Sequence, residues 1–225
     1  MTSTSNETKL APDLEFVTIM SNGYIKDELP LAHHEVFRRI SAAGVPKRYQ
    51  DARLADIVPQ IAATRAAKGT LEWAEADLGA NGLFFIGNPG TGKTFLAAAA
   101  LNERILKGLR GAMFFNAPIL LDEIRNGMKL DDSEARDRFG LACTSSSLVV
   151  LDDFGKEKAT DWATERLYVL VESRYSAMLP MIVTSNRSIN ELHDLGYGAT
   201  VSRLIEMCRV FELSGKDLRP TLTKK

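Results

Sequence analysis

Eight consecutive residues, Gly87-Asn88-Pro89-Gly90-Thr91-Gly92-Lys93-Thr94, fit the pattern GxxxxGK[ST] at every fixed position. Glycines at this spacing let the backbone turn with its N–H groups inward, making a nest for an anion at a helix N-terminus. Lys93 then meets the β- and γ-phosphates of a nucleotide as a point charge, and the Thr94 hydroxyl meets Mg²⁺. The chemistry implied for Gly87 to Thr94 is binding of a nucleoside triphosphate. A dinucleotide-binding turn is excluded, because Gly90-Thr91-Gly92 is followed by Lys93-Thr94-Phe95 rather than a third glycine.

Two carboxylates supply a second part. Leu148-Val149-Val150-Leu151 is an apolar run ended by Asp152-Asp153. An acid at the end of a buried strand beside a phosphate loop holds Mg²⁺ through water, and this is the role expected of Asp152. Asp153 is placed to orient or polarise the attacking water. Met181-Ile182-Val183-Thr184-Ser185-Asn186 is a further apolar run with a polar end. In a parallel sheet that end shares an edge with the other two sites, so Asn186 is a candidate for contact with the γ-phosphate or the water.

Elements of the right kind surround these residues. Strands are predicted over Gly82–Gly87, Ala112–Phe115, Ser147–Leu151, Met181–Thr184 and Val210–Leu213, as short apolar runs. Helices are predicted over Lys93–Lys107, Ala117–Asn126, Thr160–Ser176, Ser188–Leu195 and Thr200–Cys208, with a charged loop after Asn126. Upstream, short helices are expected at His33–Ala43, Leu54–Ala67 and Leu71–Leu78. Strands alternating with helices predict an α/β fold, a parallel sheet with helices on both faces.

Composition narrows the classes. Of the 225 residues, 45% are apolar and 25% charged, which fits a globular chain and argues against disorder throughout. With 28 Lys and Arg against 29 Asp and Glu, the net charge is −1, so any nucleic-acid contact must come from a local patch. Cys143 and Cys208 have no metal spacing and are expected as reduced, buried thiols. His33-His34-Glu35 lacks the second histidine of a zinc helix, since Arg38 stands there. The polar start reads as no signal peptide, and no apolar run approaches the roughly 20 residues of a membrane span. A cytoplasmic protein is therefore expected.

The segments GNPGTGKT, LVVLDDFGKEKATDW, MIVTSN, SRLIEMC and ELSGKDLR, in this order, resemble the AAA+ ATPases of the DnaC/IstB family. Ala43 to Tyr49 resembles the stretch that opens their ATPase domain. The resemblance implies a P-loop AAA+ domain over residues 44–225, with residues 1–43 as a short N-terminal extension that bears on a partner. It implies an ATPase using ATP and Mg²⁺, with Asn186 at the sensor-1 position. Arg203 matches the arginine finger, acting in trans on a neighbouring subunit, and Arg219 a sensor-2-like arginine. It further implies an ATP-dependent homo-oligomer, with a replicative helicase and single-stranded DNA as partners, the helicase being loaded onto the DNA. A transposition helper of the IstB kind is the alternative within the family.

Two departures qualify the resemblance. The usual acid pair is Asp-Glu, and Asp152-Asp153 sets the second carboxylate about one methylene further from the water, which predicts slow turnover. The first 43 residues carry no cysteines, unlike the zinc-bearing N-terminal domains of some loaders. For Arg203 the competing reading is a surface arginine paired with Glu206 at i+3. Arg125, Lys129, Arg136 and Arg138 are candidate DNA contacts, but Asp131, Asp132, Glu134 and Asp137 interleave with them, and a charge-balanced loop is the competing reading. Tyr49 and Arg53 are candidates for the adenine pocket by resemblance, with core packing the competing role for Tyr49. A small-molecule kinase lacks its Arg-rich lid in this sequence. A non-hydrolysing adaptor has only Asp153 in its favour.

Overall fold

The apolar run Gly82–Gly87 forms β1, whose two edges are paired with other strands and whose two faces are covered by helices. The computed structural model of the chain describes residues 33–57, 61, 64–76, 79, 81–130 and 133–219. The other strands are β2 (Met113–Asn116), β3 (Val149–Asp152), β4 (Met181–Ser185) and β5 (Cys208–Leu213). Their order is β2-β3-β4-β1-β5, and every pairing is parallel. All five C-terminal ends therefore lie along one edge, where open α/β sheets bind ligands. The register sets Asn116 beside Asp152 and Ile86 beside Ser185 along that edge.

Helices cover both faces. They are α1 (His33–Ala42), α2 (Arg65–Glu75), α3 (Lys93–Leu106), α4 (Ala117–Leu130), α5 (Ser133–Thr144), α6 (Asp161–Ser176), α7 (Ile189–Leu192) and α8 (Gly198–Met207). Short 3₁₀ turns at Lys47–Tyr49 and Leu54–Asp56 link α1 to α2, and a π-helical turn at His193–Tyr197 joins α7 to α8. The two-residue period of β1 divides the core. Leu83 and Phe85 pack with Ile40, Ala67, Leu96 and Leu101, on the face covered by α1, α2 and α3. Phe84 and Ile86 pack with Leu121, Leu167, Val171 and Leu204, on the face covered by α4, α6 and α8. Val36 and Ile40 place α1 within the first of these cores.

Three elements differ from the sequence reading. One helix, α2, runs through the expected break at Lys68–Thr70, and Leu54–Asp56 forms only a 3₁₀ turn. Gly69 interrupts the pattern for a packing reason: a Cβ there would lie 2.3 Å from the Phe211 ring. Leu78, the expected end of that helix, lies outside the described residues. In the second difference, α4 continues to Leu130, and the charged segment after it is the helix α5. Charges dominate α5, and among its described side chains only Ala142 and Cys143 are buried, so its apolar period is faint. The third is the π-helical turn, where Gly196 takes φ +89°.

Arg174 on α6 binds three segments together from within. It is fully buried, and its guanidinium donates to the carbonyls of Ala142, Ser146 and Pro180 at 2.7, 3.0 and 2.8 Å. Cys143 and Cys208 are buried free thiols as expected, and burial pushes both thiols up. Among the described residues no helix is long and apolar enough to cross a membrane.

Candidate functional site

The phosphate loop leaves β1 at Gly87 and enters α3 at Lys93. Gly92 caps α3 with φ +96°, a left-handed conformation that a side chain disfavours. Gly90 has φ +80°, and a Cβ on it would lie 2.0 Å from Asp217 Oδ1. The chain after β5 therefore packs directly on the loop, and the Leu218 N–H donates to Gly90 O at 3.0 Å. Thr91 Oγ1 donates to Asn88 O at 2.9 Å and closes the loop internally.

Lys93 is 5% exposed, and its ammonium reaches Gly87 O and Asn88 O, each at 2.7 Å. Burial pushes Lys93 down to about 8, Asp153 and Asp152 draw it back up, and Arg219 adds to the depression. A cation held in this way gains most from a polyanionic ligand, which restores its charged form.

Asp152 ends β3 and is 6% exposed. Burial raises its carboxyl, and hydrogen bonds from Thr184 and Thr94 pull it back. Both hydroxyls donate to the same Oδ1, Thr184 at 2.7 Å and Thr94 at 2.8 Å. Thr184 Oγ1 also accepts the Asp153 N–H at 3.0 Å. Asp153 takes φ +60°, a conformation rare outside glycine, and the Phe154 N–H donates to Thr184 O at 2.8 Å beyond it. That turn directs the Asp153 carboxylate to Asn186, whose Nδ2 lies 3.1 Å from Oδ1.

A cavity of about 210 Å³ runs along this edge. Gly90, Gly92, Lys93, Thr94, Asp153, Asn186 and Arg219 line it, together with Arg48, Tyr49, Asp56, Ile61, Phe95 and Leu218. The first group offers cations, loop N–H groups and hydroxyls suited to phosphates, and the second adds apolar and aromatic surface suited to a base. Tyr49 lines the cavity and also packs against the core. Arg53 does not line the cavity, and its Nη1 donates to Ala52 O at 3.2 Å.

The donor set fits Mg²⁺ held jointly with a phosphate. Thr94 Oγ1 and Asp152 Oδ1 are hard oxygens side by side at the mouth of the loop. Among the described residues no group of three His, Cys, Asp or Glu side chains stands ready to hold a metal alone. Mg²⁺ typically takes one or two carboxylates and relies on substrate phosphates for the rest.

Arg203 lies outside the cavity, on α8. It forms an ion pair with Glu172, donates to Tyr168 Oη and Ala199 O at 3.0 Å each, and lies over the Tyr168 ring at 4.8 Å. The acid expected as its competing partner, Glu206, bonds the Tyr175 hydroxyl instead. The DNA candidates that can be placed are engaged within the fold. Arg125 lies 3.7 Å from Asp122 and over the Trp162 ring, and Arg138 lies 3.3 Å from Glu123. The charge-balanced reading suits both, on helices rather than on a loop.

Three residues of the site escaped the sequence reading. Thr184 was seen as a strand-end residue with no role. Asn116, at the end of β2, brings Nδ2 to 3.4 Å from Asp153 Oδ2. The signal that singled out Asn186, a polar residue at the end of an apolar run, was present there too. Lys156 Nζ lies 2.9 Å from Asp153 Oδ2.

Comparison with known proteins follows the same lines. Residues 59–225 match the model of the family described as IstB-like ATP binding protein. The replicative helicase loader DnaI of Bacillus subtilis is 33% identical over 112 residues, 49% of this chain and 35% of that protein. An ATP-binding protein of insertion sequence IS5376 from Geobacillus stearothermophilus is 28% identical over 142 residues, 61% of this chain and 55% of that protein. The crystal structure of the DnaC helicase loader is similar with a TM-score of 0.67 and 29% identity, over 75% of this chain and 100% of that one. The chain thus spans about half or less of the length of these two curated relatives. The sheet and its flanking helices are those of an AAA+ P-loop domain. The family match extends over well more than half of the chain and takes in the whole phosphate loop and both strand-end aspartates, so this chain belongs to the IstB-like ATP-binding proteins.

Proposed function

We propose that this protein hydrolyses ATP with Mg²⁺ and, in an ATP-dependent homo-oligomer in the cytoplasm, loads a replicative helicase onto single-stranded DNA. One observation carries the hydrolytic part: Thr94, Asp152, Asp153 and Asn186 converge on the loop at one sheet edge. Gly87 to Thr94 would hold the triphosphate, and Thr94 and Asp152 would hold Mg²⁺, Asp152 through water; bound there, Mg²⁺ would supply neutralisation of charge on the phosphates. Asp153 takes the proton of a water whose oxygen attacks the γ-phosphorus. The bond to the bridging oxygen breaks, and ADP and phosphate leave. Asn186 orients that water, and Arg219 adds positive charge near Lys93 in the same cavity. Arg203 lies outside that cavity, which suits a role on the neighbouring subunit's phosphates.

The loader role draws on the helicase loaders among the relatives. A transposition helper is the second reading, favoured by one observation: the insertion-sequence relative matches a larger share of both chains than DnaI does. Affinity capture from the source cells with a non-hydrolysable ATP analogue separates them. Recovery of a hexameric replicative helicase supports the loader. Recovery of a transposase without helicase overturns it in favour of the second reading.

A further inference from the structure

Among the described residues, three side-chain donors meet the Asp153 carboxylate, and they divide its two oxygens unequally. Asn186 Nδ2 approaches Oδ1 at 3.1 Å. Lys156 Nζ and Asn116 Nδ2 both approach Oδ2, at 2.9 and 3.4 Å. A carboxylate offers about two acceptor directions on each oxygen. Oδ2 is therefore filled by Lys156 and Asn116, while Oδ1 keeps one direction open beside Asn186. Asp153 and Asn186 both line the cavity that holds Lys93 and Thr94. Oδ1 is therefore the oxygen with a direction left for a water in that cavity.

We propose that Lys156 is a positioning residue for hydrolysis: its ammonium anchors Asp153 Oδ2 and thereby presents Oδ1 to the attacking water. The inference rests on Asp153 being the group that accepts the water's proton.

Local geometry suits Lys156 to this task. The turn is closed by the Lys156 N–H, which donates to Asp153 O at 3.2 Å, and Gly155 takes φ +81° within it. An i+3 lysine thus returns over the residue it must hold. The Lys156 side chain is 62% exposed, so it comes to Oδ2 from the solvent side and leaves the cavity side clear. Side-chain length matters as well. Aspartate keeps its carboxylate close to its own backbone, within reach of this lysine, whereas glutamate would carry it about one methylene past the turn. The short acid and the lysine are matched. Ion pairs this exposed contribute little to folding, so the effect of removing Lys156 should fall on the reaction.

The test is single-turnover hydrolysis of γ-labelled ATP by the full chain in excess, with the ATP dependence measured separately. Lys156→Met keeps the length of the stem and removes the charge. The expected result is a rate constant lower by about tenfold, a half-saturating ATP concentration within about twofold of the unsubstituted protein, and recovery of most of the rate in Lys156→Arg. In an Asp153→Ala background, Lys156→Met should change the residual rate no further, because it acts through that carboxylate. An unchanged rate in Lys156→Met, or the same fractional loss in the Asp153→Ala background, overturns the proposal while leaving the hydrolytic reading in place. A full rate in Asp153→Ala overturns both.

Discussion

The amide of Asn186, at the end of β4, donates to Asp153 Oδ1, at the end of β3, across 3.1 Å. Two adjacent strands thus place a neutral donor and an acid on the same side of one cavity. Among the described residues neither side chain hydrogen-bonds the phosphate loop's backbone, so their joint effect should fall on the rate. Asn186→Ala is expected to lower single-turnover hydrolysis by about 10²-fold with little change in ATP affinity, measured by rapid quench and by fluorescent-nucleotide binding. A variant that loses affinity and keeps its rate would place Asn186 in binding instead.

Lys93 gives the binding step a pH dependence. Burial holds its ammonium near 8, so the ligand-free protein loses that charge as pH rises through this value. ATP favours the charged form, so binding above that range takes up a proton and affinity falls with rising pH. Calorimetry in buffers of different ionisation enthalpy should show little uptake near pH 7 and uptake rising toward one proton near pH 9. The same uptake in Lys93→Met would assign the proton to another group.

The Thr184 hydroxyl is expected to matter for stability. It is buried, donates to Asp152 and accepts from the Asp153 N–H. Thr184→Val keeps the shape and leaves both partners short of a bond, at a cost of about 1–3 kcal/mol in urea denaturation. Thr184→Ser retains the hydroxyl and should lose less. Unchanged stability in Thr184→Val would show that the hydroxyl contributes nothing.

Arg174 supplies a test far from the cavity. Its guanidinium meets three carbonyls in a fully buried pocket, where burial holds it down to about 10. Arg174→Met leaves all three unpaired and is expected to cost about 3 kcal/mol or more. Arg174→Lys should not recover the loss, because a point donor cannot span the fork. Recovery by lysine would show that charge alone is what the site needs.

The parts of the fold carried by contiguous residues were legible in the sequence. The run Gly82–Gly87 is both an apolar strand and the start of the loop, and its limits coincide with β1. Asp152, Asp153 and Asn186 were readable because each directly follows or ends an apolar run. Relationships between elements were not readable. Arg203 meets Glu172 rather than Glu206 because α6 packs beside α8, which no spacing along the chain reveals. Lys156 meets Asp153 because the turn takes φ +60° at an aspartate, a conformation seldom expected of that residue. The α5 helix was masked by its own charges, since most of it faces outward. The proposed boundary at residue 43 divides α1 from the phosphate loop in sequence, while Val36 and Ile40 of α1 pack in the same core as Leu96 of α3.

The central claim is a hydrolytic site completed by a neighbour, with Asp153 on one subunit and Arg203 on the next. A mixing experiment tests it most directly. Asp153→Asn and Arg203→Ala proteins are assayed for phosphate release separately and then in equal amounts. The account predicts that each alone is close to inactive and that the mixture regains a substantial part of the unsubstituted rate, because some interfaces pair an intact Asp153 with an intact Arg203. Full activity of Arg203→Ala alone, or a mixture no more active than its parts, would contradict it.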